Sequence, residues 1–262
     1  MSGTNKKLDL ITGGPVIILV EPQLGENIGM VARAMANFGL SELRLVKPRD
    51  GWPSEKARAA SSRAYHVIDA VEVYETLEES IADLNRVMAT TARPRDMLKT
   101  VLEPREAVEL AISCVDEGQK VGILFGRERW GLENSEIALA DEIVTFPVNP
   151  AFASLNIAQA VLLMAYEWMR LSETSNRQNF IKPQDNQNSP ATRETLVAFL
   201  NHLEGALDDA NYFFPPERRE RMLVNLRSIF VHAGLQEAEV QSLHGVVAAL
   251  ERRWKKNKEN NP

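Results

Sequence analysis

What the sequence lacks narrows its class before anything it contains. One cysteine, Cys114, rules out an intramolecular disulfide and reads as a buried free thiol. The four histidines, His66, His202, His232 and His244, are too dispersed to form a metal-ligand cluster, so no metal is expected. No apolar run approaches the roughly 18 residues a membrane span requires. The opening stretch MSGTNKKLDLITGG has no signal-peptide core, so the expectation is a cytoplasmic chain with no membrane partner. Basic charge is also scarce. Lys and Arg number 30 against 36 Asp and Glu, a formal charge of -6, so any RNA contact must use a local patch. Neither a G-x-G-x-x-G after a strand nor a Walker A lysine motif occurs, which argues against the common dinucleotide and nucleoside-triphosphate sites.

What is present is the composition of an ordinary globular protein, with 44% apolar and 25% charged residues. A chain of 262 residues can bury a sizeable core, as one large domain or a large one plus a small one. Short apolar, β-branched runs at residues 15–20, 43–46, 86–90, 120–125 and 142–146 read as buried strands. Helical patterns fall between them, at 30–38 with Gly39 as its stop, and at 54–64, 77–84, 106–115 and 134–140. Strands alternating with helices predict an α/β fold with a mostly parallel sheet covered on both faces. Ligands of such sheets bind beyond the carboxyl ends of the strands.

The unusual residues gather at those ends. Asn27 and Arg33 follow the first strand, Thr90-Thr91-Ala92-Arg93 and Gly126-Arg127-Glu128 follow the middle ones, and Asn149-Pro150 and Ser154-Leu155-Asn156 follow the last. The stretch 149–170, NPAFASLNIAQAVLLMAYEWMR, is a polar turn running into a helix that is apolar on most sides and predicted to be buried, with Ser154 at the N-cap place. Taken alone, Ser154 reads as a cap, Arg33 as a solvated surface residue, and Gly126 and Gly131 as turn glycines. The loop after residue 90 carries Arg93, Arg95, Lys99 and Arg105 and reads as substrate contact.

Three motifs change that balance. Glu26-Asn27-Ile28-Gly29 with Arg33, Leu124-Phe125-Gly126-Arg127-Glu128 with Gly131-Leu132, and Asn149-Pro150 with Ser154-Leu155-Asn156 occur in order across roughly residues 15–170. Together they resemble the SpoU/TrmH branch of the SPOUT methyltransferases, and within it the bacterial tRNA (cytidine/uridine-2′-O)-methyltransferases. The resemblance implies a C-terminal trefoil knot, an obligate homodimer, a tRNA substrate and S-adenosylmethionine as methyl donor. It further implies a cofactor pocket of Thr90, Thr91, Ala92, Gly126, Phe146, Ala153, Ser154 and Leu155. Ala153 departs from the hydroxyl or glycine common there, which removes a side-chain contact but not the backbone ones. Arg33, Asn27 and Ser154 are the implied catalytic group, and Arg93, Arg95 and Arg127 are expected on RNA phosphates. Arginine stays protonated, so Arg33 suits a phosphate clamp and alkoxide stabiliser better than a base. Glu128 is expected to hold Arg33 or Arg127 by an ion pair.

The remaining chain divides into a polar linker, 171–190, and a helical unit, 191–262, behind a methyltransferase domain at 1–170. Helical periodicity at 192–210, 216–233 and 236–254 gives three helices. Arg218, Arg219, Arg221 and Arg227 on one helix, and Arg252, Arg253, Lys255, Lys256 and Lys258 near the end, point to tRNA recognition, with dimer support as the alternative.

Overall fold

The computed structural model describes residues 10–92, 99–174 and 189–259, without the side chains of 173–174 and 255–259. In chain order the elements are β1 (Val16–Val20), α1 (Gly25–Asn37), β2 (Leu43–Val46), α2 (Glu55–Ala60), α3 (Tyr65–Ile68), β3 (Glu72–Tyr74), α4 (Leu77–Ile81), β4 (Arg86–Thr90), β5 (Val101–Leu102), α5 (Pro104–Asp116), β6 (Val121–Phe125), α6 (Asn134–Ala138), β7 (Glu142–Val144) and α7 (Ile157–Thr174). Helices α8 (Arg193–Asp209), α9 (Arg219–His232) and α10 (Glu237–Glu259) complete the described chain.

Seven strands form one sheet in the order β3-β2-β1-β6-β4-β7-β5, and every pairing is parallel. The chain builds outward from β1 to β3, then crosses to β4 and works on the other side. This reversal of winding, between β1 and β4, is where open α/β sheets bind ligands.

Alternate side chains of a strand face opposite sides, so the central strands feed two cores. Ile17, Leu19, Ile123 and Phe125 pack with α1, α5 and α7, whereas Ile18, Val20, Val87 and Leu124 pack with Ile81 of α4 and Ile137 of α6. Cys114 is buried in the first core, and burial raises its thiol pKa.

The five predicted strands are present, but β3 and β5 were not legible. Both lie at sheet edges, and with only three and two residues they bury too little side chain to leave an apolar run. Helix α1 begins at Gly25, five residues ahead of the position its Ala and Met content marks. No local side chain caps it; a carboxylate from a distant loop takes that place, as described below. Within α1, a Cβ on Gly29 would fall 2.2 Å from the carbonyl oxygen of Ala57, so the glycine permits close packing of α1 on α2.

Helix α7 corrects two expectations. It starts at Ile157, with Asn156 rather than Ser154 as its cap: the Asn156 side-chain oxygen accepts from Ala158 N at 2.8 Å, and Gln159 accepts from Asn156 N at 3.1 Å. It is also not buried all round. Val161, Met164, Ala165 and Trp168 are in the core, while Leu162, Leu163 and Tyr166 are exposed. It runs on to Thr174, four residues into the expected linker, and residues 175–188 lie outside those described.

The last three helices close a third apolar cluster around Phe199, Leu200, Val231 and Val240. They are joined to the sheet layer by polar contacts. Arg193 N donates to Leu84 O at 2.8 Å and Glu194 N to Ala82 O at 2.9 Å, and the buried Arg193 guanidinium pairs with Asp141. No described helix is long and apolar enough to cross a membrane.

Candidate methyltransferase site

Beyond the carboxyl ends of β4, β6 and β7 lies a cavity of about 410 Å³, within the size range of small-molecule sites. Thr90, Thr91, Ala92, Gly126, Phe146, Ala153, Ser154 and Leu155 all line it, so residues scattered over 65 positions of sequence meet on one wall system. Phe125, Val148, Ile157 and Ala160 add apolar surface, and Arg127, Glu128, Arg129, Trp130 and Gly131 complete the lining. The small residues have a packing reason as well. A Cβ on Gly126 would come within 2.1 Å of the Gly131 carbonyl carbon, so the 126–131 loop folds directly back over the glycine. The Thr90 hydroxyl is committed to Leu124 O at 2.8 Å, which leaves backbone and apolar surface as its offering to a ligand.

The loop is pinned from both sides. Arg127 N donates to Gly131 O at 3.2 Å and Gly131 N to Arg127 O at 2.8 Å, an isolated antiparallel bridge. Glu128 then accepts from Gln23 N at 3.0 Å, Leu24 N at 3.3 Å and Asn27 Nδ2 at 2.9 Å. Negative charge at the start of a helix is favourable, so Glu128 caps α1 across the fold. Asn27, itself buried, passes the connection on: its side-chain oxygen accepts from Asn156 Nδ2 at 3.1 Å. One polar chain thus ties the start of α1, the 126–131 loop and the start of α7.

These contacts revise several expected roles. Glu128 pairs with neither Arg33 nor Arg127. Asn27 has both ends of its amide engaged and ties two segments together. Arg127 donates to Glu21 at 2.9 Å and to both oxygens of Glu136 at 3.1 Å, with its side chain 11% exposed. The bond to Glu21 raises the guanidinium pKa further, and Arg127 in turn holds the Glu21 carboxyl below its ordinary value. Arg127 thus ties the loop to Glu21 and Glu136 while still lining the cavity.

Lys99 is likewise no solvated loop residue. It is buried, and its ammonium donates to Ala140 O at 2.6 Å and Ala138 O at 3.3 Å. Arg105 pairs with Glu109 at 2.9 Å. Arg93 and Arg95 lie outside the described residues. In the helical unit, Arg219 pairs with Asp208 and Arg227 with Glu204, while Arg218, Arg221, Arg252 and Arg253 are exposed.

Arg33 is exposed on α1 and does not line the cavity. It sits in a shallow groove between α1 and α7 with Met30, Ala34, Asn37, Asn156, Ala158, Gln159 and Leu162. Asn156 and Ala158 line this groove, while their neighbours Leu155 and Ile157 line the cavity. Among the described residues no group of three or more His, Cys, Asp or Glu could hold a metal ion.

Residues 14–166 match the model of the SpoU rRNA Methylase family. The chain belongs to the SpoU methylase family. Residues 194–259 match a second model, the C-terminal domain of the tRNA methyltransferase TrmJ, which places it in the TrmJ group of that family. A crystal structure of TrmJ from Z. mobilis ZM4 superposes with a TM-score of 0.81 at 46% identity, covering 91% of this chain and 100% of that one. The Klebsiella pneumoniae tRNA (cytidine/uridine-2′-O-)-methyltransferase TrmJ is 34% identical, over 91% of this chain and 97% of its own. The Pseudomonas aeruginosa protein, named tRNA (cytidine/uridine/adenosine-2′-O-)-methyltransferase TrmJ, is 32% identical over 90% and 93%. The SpoU fold accounts for the parallel sheet and its deep cavity, and the TrmJ match accounts for the helical tail.

Proposed function

We propose that this SpoU-family chain transfers a methyl group from S-adenosylmethionine to a ribose 2′-hydroxyl of tRNA, at the first anticodon-loop nucleotide, a cytidine or uridine. The observation that carries the reading is the convergence of three distant motifs on one cavity, whose lining includes all eight residues that the family resemblance marks for the cofactor. The names of the relatives from K. pneumoniae and P. aeruginosa support tRNA as the substrate class.

The lining suits the cofactor. Phe146, Leu155 and Ile157 provide apolar walls, and Ala92, Gly126 and Ala153 leave backbone groups approachable by the polar edges of an adenosyl group. S-adenosylmethionine, when bound, supplies an electrophilic methyl on its sulfonium. What the chain must contribute is alignment and charge management. Ser154, exposed and free of capping duty, is positioned to bond the ribose or the donor's edge. Arg33 grips a phosphate beside the acceptor and stabilises the developing alkoxide as the hydroxyl proton passes to solvent water, the methyl bonding to that oxygen as its bond to sulfur breaks.

Because Arg33 lies in a separate groove, a second copy is the simplest way to bring it to a cavity. Exposed Met30, Leu162, Leu163 and Tyr166 around that groove are an apolar face for such a homodimer. The trefoil knot that the family resemblance implies belongs to the same proposal. The helical unit from 191 onward is read as the tRNA-recognition part, following the linker and the 1–170 catalytic domain.

The test is mass spectrometry of ribose methylation on tRNA from a strain lacking the protein. Loss at the first anticodon-loop nucleotide, restored by the wild-type gene, is expected. Ribosomal RNA is the second reading, favoured by the description of the matched family, and loss confined to it would redirect the assignment.

A further inference from the structure

The 126–131 loop divides its side chains sharply. Arg127 and Glu128 turn inward and are fixed by Glu21, Glu136, Asn27 and the backbone that leads into α1. Arg129 and Trp130, between them and the closing Gly131, turn outward, and Trp130 is 60% exposed although it lines the cavity. Arg129 is exposed and forms no ion pair among the described residues. Phe152, next in sequence to Ala153 of the lining, is 79% exposed.

A large aromatic held in water by a rigid loop does not serve the fold. The apolar walls deeper in the cavity are already made by Phe146 and Leu155, both half-buried. A flat ring on a pre-ordered support beside an exposed guanidinium suits an unstacked nucleobase and its phosphate, the pairing by which single-stranded RNA is recognised. The geometry points to Trp130 as a stacking platform for a nucleobase next to the acceptor ribose, with Arg129 on the adjoining phosphate. The inference rests on the RNA methyltransferase reading and adds to it two substrate-positioning residues. It adds Arg129, whose side chain is exposed, to the residues offered to phosphate.

The test uses the full-length protein and an anticodon stem-loop RNA. Trp130→Ala should weaken RNA binding about tenfold, the size of one lost base stack, while S-adenosylmethionine affinity stays within about twofold of wild type. Trp130→Phe should restore most of the RNA affinity, which a merely structural role would not demand. Arg129→Ala should lower the slope of log affinity against log salt by about 0.7, as for one phosphate contact on a single strand. Unchanged RNA affinity in Trp130→Ala overturns the proposal. So does a loss of cofactor affinity equal to the loss of RNA affinity, which would make Trp130 a lid on the cofactor, and so does a change of oligomeric state, which would make it an interface residue. If wild-type protein methylates neither tRNA nor rRNA, the underlying function reading fails instead, and this outcome is distinct from all three.

Discussion

Glu128 accepts a hydrogen bond from Asn27 at 2.9 Å across 101 positions of sequence, and through it one carboxylate holds both the start of α1 and the loop over the cavity. Removing the carboxylate strands two backbone amides and a buried side-chain amide. Glu128→Ala should therefore destabilise the fold by about 1–3 kcal/mol, the cost of unsatisfied donors, reduced by whatever water reaches the half-buried site. Glu128→Gln keeps an acceptor but loses the charge at the helix start, and should cost about 0.5–1 kcal/mol. Urea unfolding checks both. Weaker cofactor binding should follow the same order, because the loop carries Gly126 and Gly131; equal stability of all three proteins would dismiss the tie.

A second prediction concerns Lys99. Burial pushes its ammonium from the ordinary 10.5 down to about 8, with the Arg193 charge adding to the effect. Between those values the unfolded chain binds the proton that the folded chain has released, so stability should rise as pH climbs from about 8 toward 10.5. Below about 8 both states are protonated and the penalty of burying the charge is constant. Lys99→Met removes the titration. The wild-type minus Lys99→Met difference in unfolding free energy should therefore change across this window and be flat from about pH 6 to 7, roughly a unit clear of it. A difference independent of pH throughout would show that the ammonium is not desolvated.

Arg33 carries the mechanistic prediction. It is exposed, so Arg33→Ala should change unfolding free energy by no more than about 0.5 kcal/mol. It lies outside the cavity, so S-adenosylmethionine affinity should also hold, while methyl transfer falls by about a hundredfold or more, the scale of one lost charge stabiliser. Single-turnover methylation with saturating RNA separates chemistry from binding. Mixing Arg33→Ala subunits with a second, cofactor-deficient variant should regain activity if the arginine serves the partner's cavity. Activity of Arg33→Ala within twofold of wild type would remove it from the reaction.

How much of this was legible in sequence follows from where each signal resides. The parallel sheet was readable because its central strands are buried on both faces and read as continuous apolar runs, such as Val16 to Val20. The cavity lining was reached through the family resemblance; of its residues Thr90, Thr91 and Gly126 lie at strand ends, whereas Ala153, Ser154 and Leu155 follow a turn beyond β7. Partnership was not readable. Glu128 finds Asn27 and the amides before α1, Arg127 finds Glu21 and Glu136, and Lys99 finds carbonyls near the end of α6, all at separations that no local pattern encodes. The start of α1 was misplaced for the same reason, since its cap is supplied from 104 residues away. Arg129 and Trp130 went unassigned beside the motif. Only the direction in which the loop turns its side chains sets them apart from Arg127 and Glu128.

The start of α7 offers the cleanest separation of structural from functional roles. Ser154 looks like a helix cap in sequence, yet the cap bonds belong to Asn156, two residues on. Ser154→Ala should leave thermal unfolding unchanged, while Asn156→Ala should cost about 1 kcal/mol from the lost cap, and more because Asn27 then loses its donor. In methyl transfer the order should reverse in kind. Ser154→Ala, fully folded, should lose turnover through the ribose or donor contact alone, and its defect should not be relieved by cooling. Part of the Asn156→Ala defect should recover at low temperature, where the helix start re-forms. If Ser154→Ala is instead as active as wild type, the exposed hydroxyl on the cavity wall has no part in the reaction, and the cavity's ligand is held by backbone and apolar surface alone.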